Sequence, residues 1–214
     1  MIPNTQAFFC ALLLSSSLSS GVIAEGVGGL SQAIDTPRSA DGPADELSIV
    51  LDYREDYRAL AFTFQPSDRF EIGVSFPTYD DGSGSSSGNE LSFGLRLLDE
   101  SRYGPGLSVG IVGFGSDDRG SGEYVLASKT MGAVQASVGL GWGRYAQNGT
   151  DARGEDDGVV RTDHLFSGDT EPFANIVWNT GVSGLVAAAE YSGRAGPEAD
   201  ETLAASLSYR ILDG

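Results

Sequence analysis

The stretch GEYVLASKTMGAVQASVGLGWG, residues 122–143, alternates its side chains with a period of two, the mark of a strand with two unlike faces. From Ala133 onward, Val134, Ala136, Val138, Leu140 and Trp142 fall on one side, and Gln135, Ser137, Gly139 and Gly141 on the other. The second side is polar yet carries almost nothing long. A face meeting bulk water usually bears Lys, Glu, Arg or Thr, because Gly and Ser offer little cross-strand packing and weaken a sheet. Small residues suit a narrow enclosed space instead.

The same pattern recurs along the chain. About ten alternating runs are expected, near 46–53, 57–65, 69–77, 90–98, 106–114, 122–129, 133–143, 172–180, 184–192 and 202–212. None keeps a 3.6-residue period, so no long amphipathic helix is predicted. One face gathers Leu47, Ile49, Leu51, Phe62, Phe64, Ile72, Val74, Leu91, Phe93, Leu95, Val109, Ile111, Ile176, Trp178, Leu203 and Leu207. The other gathers Ser48, Gly73, Ser75, Ser92, Gly94, Ser108, Gly110, Ser206 and Ser208. Among these small residues the sequence sets a lumen-facing polar network of Asp52, Glu71, Arg96, Glu123, Lys129, Gln135, Asn175, Glu190 and Arg210.

The fold class this predicts is all-β: a small antiparallel transmembrane β-barrel of about ten strands, lipid outside and a narrow polar lumen inside. A soluble β-sandwich is the alternative, since it alternates in the same way with its apolar face inward. Connection lengths favour the barrel. With the first strand running outward, the connections near 66, 102, 131 and 182 are short and fall at one end. Those near 78–89, 115–121, 144–171 and 193–201 are longer and fall at the other, with the tight turn REDY near 55 the one exception to the loop asymmetry of outer-membrane barrels. Tyr53, Tyr57, Phe76, Trp142, Trp178, Tyr191 and Tyr209 near strand ends suit interfacial girdles, although core aromatics would occupy many of the same places.

Residues 1–24 read as a signal peptide: AFFCALLLSSSL, from Ala7 to Leu18, is apolar but too short to span a bilayer, and Val22, Ile23 and Ala24 suit a peptidase. A buried N-terminal strand is the competing reading. Cys10 lies inside this leader, so residues 25–214 contain no cysteine, which excludes disulfides and thiolate metal sites there. Residues 25–45 form an irregular lead-in that could enter the periplasmic mouth of the barrel domain, 46–214. The expected location is the cell outer membrane, with its lipid as a partner.

A net charge of −17 excludes a basic footprint for nucleic acid. Asp80, Asp81, Asp117, Asp118, Asp151, Glu155, Asp156, Asp157 and Asp163 gather in loops without the D-x-D-x-D-G order of a calcium site. His164, the single histidine, shares one loop with Asp163 and Ser167, a poor setting for a preorganised hydrolase site. No enzyme and no cofactor are expected. Glu123 and Lys129 read either as lumen groups touching a saccharide or as members of a charge network with Arg96, Arg210, Glu71 or Glu190 that fixes register.

Gly122, Glu123, Tyr124, Val125, Ala127, Ser128 and Lys129, then Val138 to Gly143, make a strand pair resembling one in the YjbH-like family of outer-membrane exopolysaccharide proteins. The stretches GGLSQAIDTPRSA, LAFTFQPSDRFEIGVSF, LSFGLRLLDESRYGPGLSVGIVGF and DTEPFANIVWNTGVSGLVAAAEYS extend the resemblance over most of residues 25–214. Members of that family are several times longer, so the likeness is to their amino-terminal barrel region. The resemblance implies a non-enzymatic outer-membrane role in exopolysaccharide biosynthesis or export, beside the polymer and other export proteins. A structural or adhesive surface barrel with acidic external loops and a secreted β-sandwich binding module are the alternatives.

Overall fold

The computed structural model describes residues 12–14, 30–39, 44–53, 57–80, 85–114, 121–146, 165–166, 168–182, 184–193 and 202–209. The strands are β1 (Leu12–Leu14), β2 (Glu46–Tyr53), β3 (Tyr57–Ser67), β4 (Phe70–Asp80), β5 (Ser85–Ser87) and β6 (Glu90–Leu98). They continue with β7 (Gly106–Phe114), β8 (Gly122–Met131), β9 (Val134–Gly143), β10 (Glu171–Asn179), β11 (Leu185–Ser192) and β12 (Thr202–Tyr209). Neighbours pair antiparallel in sequence order, and three-residue β5 is a spur on β4. The ten long strands match the alternating runs to within a few residues, and no helix occurs among the described residues.

Turn chemistry fixes the register at one end. Gly132 has φ 62° and is the first of two residues joining β8 to β9, the place where a tight hairpin of the II′ kind needs a positive φ. Gly181 and Gly184, also at positive φ, serve the β10–β11 turn. The β3–β4, β6–β7, β8–β9 and β10–β11 connections all lie at this end.

The two faces differ in polarity, and the buried one is the polar one. Ser48, Thr63, Glu71, Ser75, Ser92, Ser108, Ser128, Ser137, Asn175 and Glu190 are buried. Leu47, Ile49, Leu91, Leu95, Leu140, Ile176 and Leu207 are exposed, as is Val138, at 61%. A water-soluble sandwich has the reverse arrangement.

The buried face is not uniformly small. Tyr124, Leu126 and Val112 join Phe173, Tyr145 and Leu30 in one apolar cluster. Glycines on neighbouring strands make room for the rings. A Cβ on Gly110 would lie 2.4 Å from the Tyr124 ring, and one on Gly139 would lie 2.2 Å from Phe173.

This corrects the sequence reading of β8. Its interior positions are Tyr124, Leu126 and Ser128, so Glu123 and Lys129 share the opposite parity with exposed Val125, in a register unbroken from Gly122 to Met131. The polar residues of this strand sit near its two ends, and the glycines beside it admit large side chains inward. Glu123 is buried all the same, so alternation and burial part company at that end of the strand.

The sheet is not closed into a barrel. Among the described residues β12 pairs with β11 alone, and the edge of β2 is taken by β1, with Leu12 opposite Leu51 and Leu14 opposite Ile49. An exposed strand edge presents unpaired N–H and C=O groups and accepts whatever extended segment lies near. Here Leu12–Leu14, within the segment expected to be a signal peptide, occupies the β2 edge that closure would give to β12.

Residues 30–39 are not loose. Ser31, Gln32, Ala33, Thr36, Arg38 and Ser39 are buried against the polar face, in a turn closed by a bridge between Gln32 and Pro37. The sheet curls around them far enough that strands from both halves reach the same ten residues.

Candidate functional site

The polar interior is built around that turn. Its internal hydrogen bonds run from Ala33 N to Thr36 O (2.9 Å) and from Arg38 N to Ser31 O (3.1 Å). The amides of Ile34, Asp35 and Thr36 point elsewhere, and β11 supplies their acceptor. All three donate to the Glu190 carboxylate, at 3.1, 3.0 and 2.9 Å, and the Thr36 hydroxyl adds a fourth donor at 2.8 Å. Successive amides converging on one anion form a nest, which offsets the cost of burying the charge.

Three further strands hold the same turn. Asn175 on β10 donates from Nδ2 to Thr36 Oγ1 (2.9 Å) and to the Pro37 carbonyl (2.8 Å). Arg38 reaches Gln135 Oε1 on β9 at 3.4 Å. At the other side, the Ser31 amide donates to Glu71 on β4. Glu71 and Glu190 therefore lie six strand pairings apart along the sheet, from β4 to β11, yet bind segments five residues apart in the turn.

Apolar contacts complete the seat. Leu30 packs into the cluster of Tyr124, Tyr145 and Phe173, where Tyr124 and Tyr145 meet edge to face at 6.3 Å. Ala33 packs against Val177, Val186 and Ala188, with Ile34 beside them.

The residues expected to form a lumen network thus separate into groups. Glu71, Gln135, Asn175 and Glu190 meet around residues 30–39. Asp52 and Arg96 are half-buried on the interior side of β2 and β6. Glu123 is buried on β8, at a position of outward parity.

Lys129 belongs to a different place. It pairs with Glu100 at 3.1 Å and donates to the carbonyls of Ser101, Arg102 and Gly104, all in the β6–β7 turn. A lysine at a strand end reaches easily for the polar edge, which is why it leaves the interior. Arg210, His164, Asp163 and Ser167 lie outside the described residues, as do Asp81, Asp117, Asp118, Asp151 and Glu155 to Asp157.

Sequence reasoning missed Thr36, Ser31 and Glu90. Glu90 opens β6 on the parity of Ser92 and accepts from Ser75 Oγ at 3.2 Å, so extending the alternation by two residues would have found it. The signal for Thr36 is Asp35-Thr36-Pro37, a turn sequence whose free amides need an acceptor. No group of three or more potential metal-ligating side chains occurs among the described residues.

Known proteins resemble this chain in sequence. Residues 25–202 match the family model described as "Exopolysaccharide biosynthesis protein YbjH". The "Uncharacterized lipoprotein YjbH" of Escherichia coli (strain K12) is 23% identical over 185 residues, covering 75% of this chain and 26% of the relative. The chain thus corresponds to about a quarter of that relative's length. No solved structure matches.

Proposed function

We propose that this chain, which belongs to the YjbH family of exopolysaccharide biosynthesis proteins, acts as a non-enzymatic outer-membrane barrel that assists biosynthesis or export of the polymer. The inverted polarity of the sheet carries the reading. Leu95, Val138, Leu140 and Ile176 are exposed near strand centres while Ser92, Ser137 and Asn175 are buried. An apolar band of this kind needs lipid to cover it. The long strands run from 8 to 11 residues, close to the ~9–11 that a tilted strand needs to cross a bilayer.

On this reading the leader is removed after export. That frees the β2 edge held by Leu12–Leu14 to meet β12, closing ten strands, an even number as bacterial barrels have. The lipoprotein name of the relative supports an envelope location. The non-enzymatic role rests on the sequence inventory, one histidine and one cysteine, the latter inside the leader. Other export proteins would act beside the chain, since its relative is several times longer.

Deleting the gene in the native host and weighing extracellular polysaccharide tests the role. Loss of polymer, restored by the full chain, is the expected result. Unchanged polymer with normal export would contradict it.

A further inference from the structure

We infer that residues 30–39 are a latched plug, held in the interior by the Glu190 carboxylate and released when that carboxylate is lost. Three features of the turn point to this. The bridge between Gln32 and Pro37 is internal to the turn, so that contact adds no rung to the sheet. Its outward-pointing amides from Ile34 to Thr36 converge on one side chain rather than on a strand backbone. Once the leader is removed, as the proposed function has it, the turn's covalent tie to the sheet is the link before β2 alone.

The seat has the chemistry of a reversible contact. Leu30, Ala33 and Ile34 are the apolar anchors, and the turn is also held by hydrogen bonds with Glu190, Asn175, Gln135 and Glu71. Charge-assisted hydrogen bonds are the strongest of these, and four donors share a single carboxylate. Losing that charge weakens all four bonds, and turning one oxygen into a donor sets it against the amides that faced it. A plug of this type keeps the space inside the sheet filled until it is withdrawn.

What is being plugged rests on the barrel reading, but the latch is a property of the chain in any environment. The chain has one cysteine, Cys10, so a Cys10→Ser background carrying Ala33→Cys places a single thiol at a buried plug position. The probe is a bulky water-soluble maleimide, applied to the full chain in mild detergent. The thiol is expected to be protected in that background. Adding Glu190→Gln should speed labelling by about tenfold or more, the scale of one lost charge-assisted hydrogen bond. Thr36→Val, which alters no strand, should act in the same direction and decides the matter if Glu190→Gln fails to fold.

Far-UV circular dichroism checks that the strands persist in each variant. Labelling of the background at the rate of the urea-unfolded chain would overturn the plug. Unchanged labelling in both variants, with strands intact, would overturn the latch. Protection in a protein that shows no heat-modifiable gel mobility would sink the membrane reading and leave the latch standing.

Discussion

Thr36 and Glu190 are joined twice: the amide and the hydroxyl of Thr36 both donate to Glu190 Oε2, at 2.9 and 2.8 Å. The two residues are 154 positions apart, so the lead-in and the second-last strand must both be in place before either bond forms. On the opposite flank Ser31 meets Glu71. The turn therefore ties the two halves of the curled sheet together from within.

Asn175 tests that tie energetically. Asn175→Ala removes the bonds to Thr36 Oγ1 and the Pro37 carbonyl, leaving a buried carbonyl without its donor. The expected cost is about 1–3 kcal/mol, read from urea unfolding in detergent. A change inside experimental error would show that the turn contributes nothing to the folded sheet.

The glycines beneath the interior rings give a steric prediction. Gly139→Ala would set a methyl 2.2 Å from the Phe173 ring and force it off its seat. The expected loss is about 1–3 kcal/mol. Gly88→Ala has nothing within 4 Å and should stay within about 0.5 kcal/mol of the native chain. Equal stability of the two variants would mean that the rings are not held against the strands.

The outer face predicts the opposite response to charge. Val138 lies mid-strand, opposite Ala127 on β8 and Ala174 on β10, and is exposed. Val138→Arg should cost about 2–4 kcal/mol in a bilayer, as charge near the midplane does. In water an exposed Val→Arg change would be close to neutral, so folding in lipid vesicles against detergent-free buffer separates the two surroundings.

The Lys129 and Glu100 pair sets a small pH dependence. Slight desolvation raises the Glu100 pKa, but the hydrogen bonds from Thr130 and Lys129 and the lysine charge together outweigh it, so the carboxyl titrates below its ordinary value. Its folded pKa is depressed, so its contribution is present above the unfolded value and is lost as pH falls through the folded one. Lys129→Met should move the Glu100 titration midpoint upward, as followed by carboxyl NMR. A midpoint that stays put would show that the pairing does not form in solution.

Strand positions were legible because period-two alternation is a local property, and Val134 to Trp142 display it without help from the rest of the chain. The inward set was legible wherever small and polar residues shared one parity, as at Glu71, Gln135, Asn175 and Glu190. It failed for Lys129 on β8, where Tyr124 takes the interior because Gly110 on β7 leaves its ring space. That is a tertiary fact, invisible to any rule applied to one strand. Thr36 and Ser31 were missed for a related reason: their partners lie on strands far away in sequence, and nothing local marks a turn as the filling of a sheet.

The central claim is that the apolar outer face of this sheet sits in the outer membrane, and separation of the native host's envelope on a sucrose gradient tests it most directly. The full-length chain should sediment with the outer membrane, resist extraction by sodium carbonate and run faster on a gel when left unboiled. Recovery of the folded chain in the soluble periplasmic fraction would contradict the account.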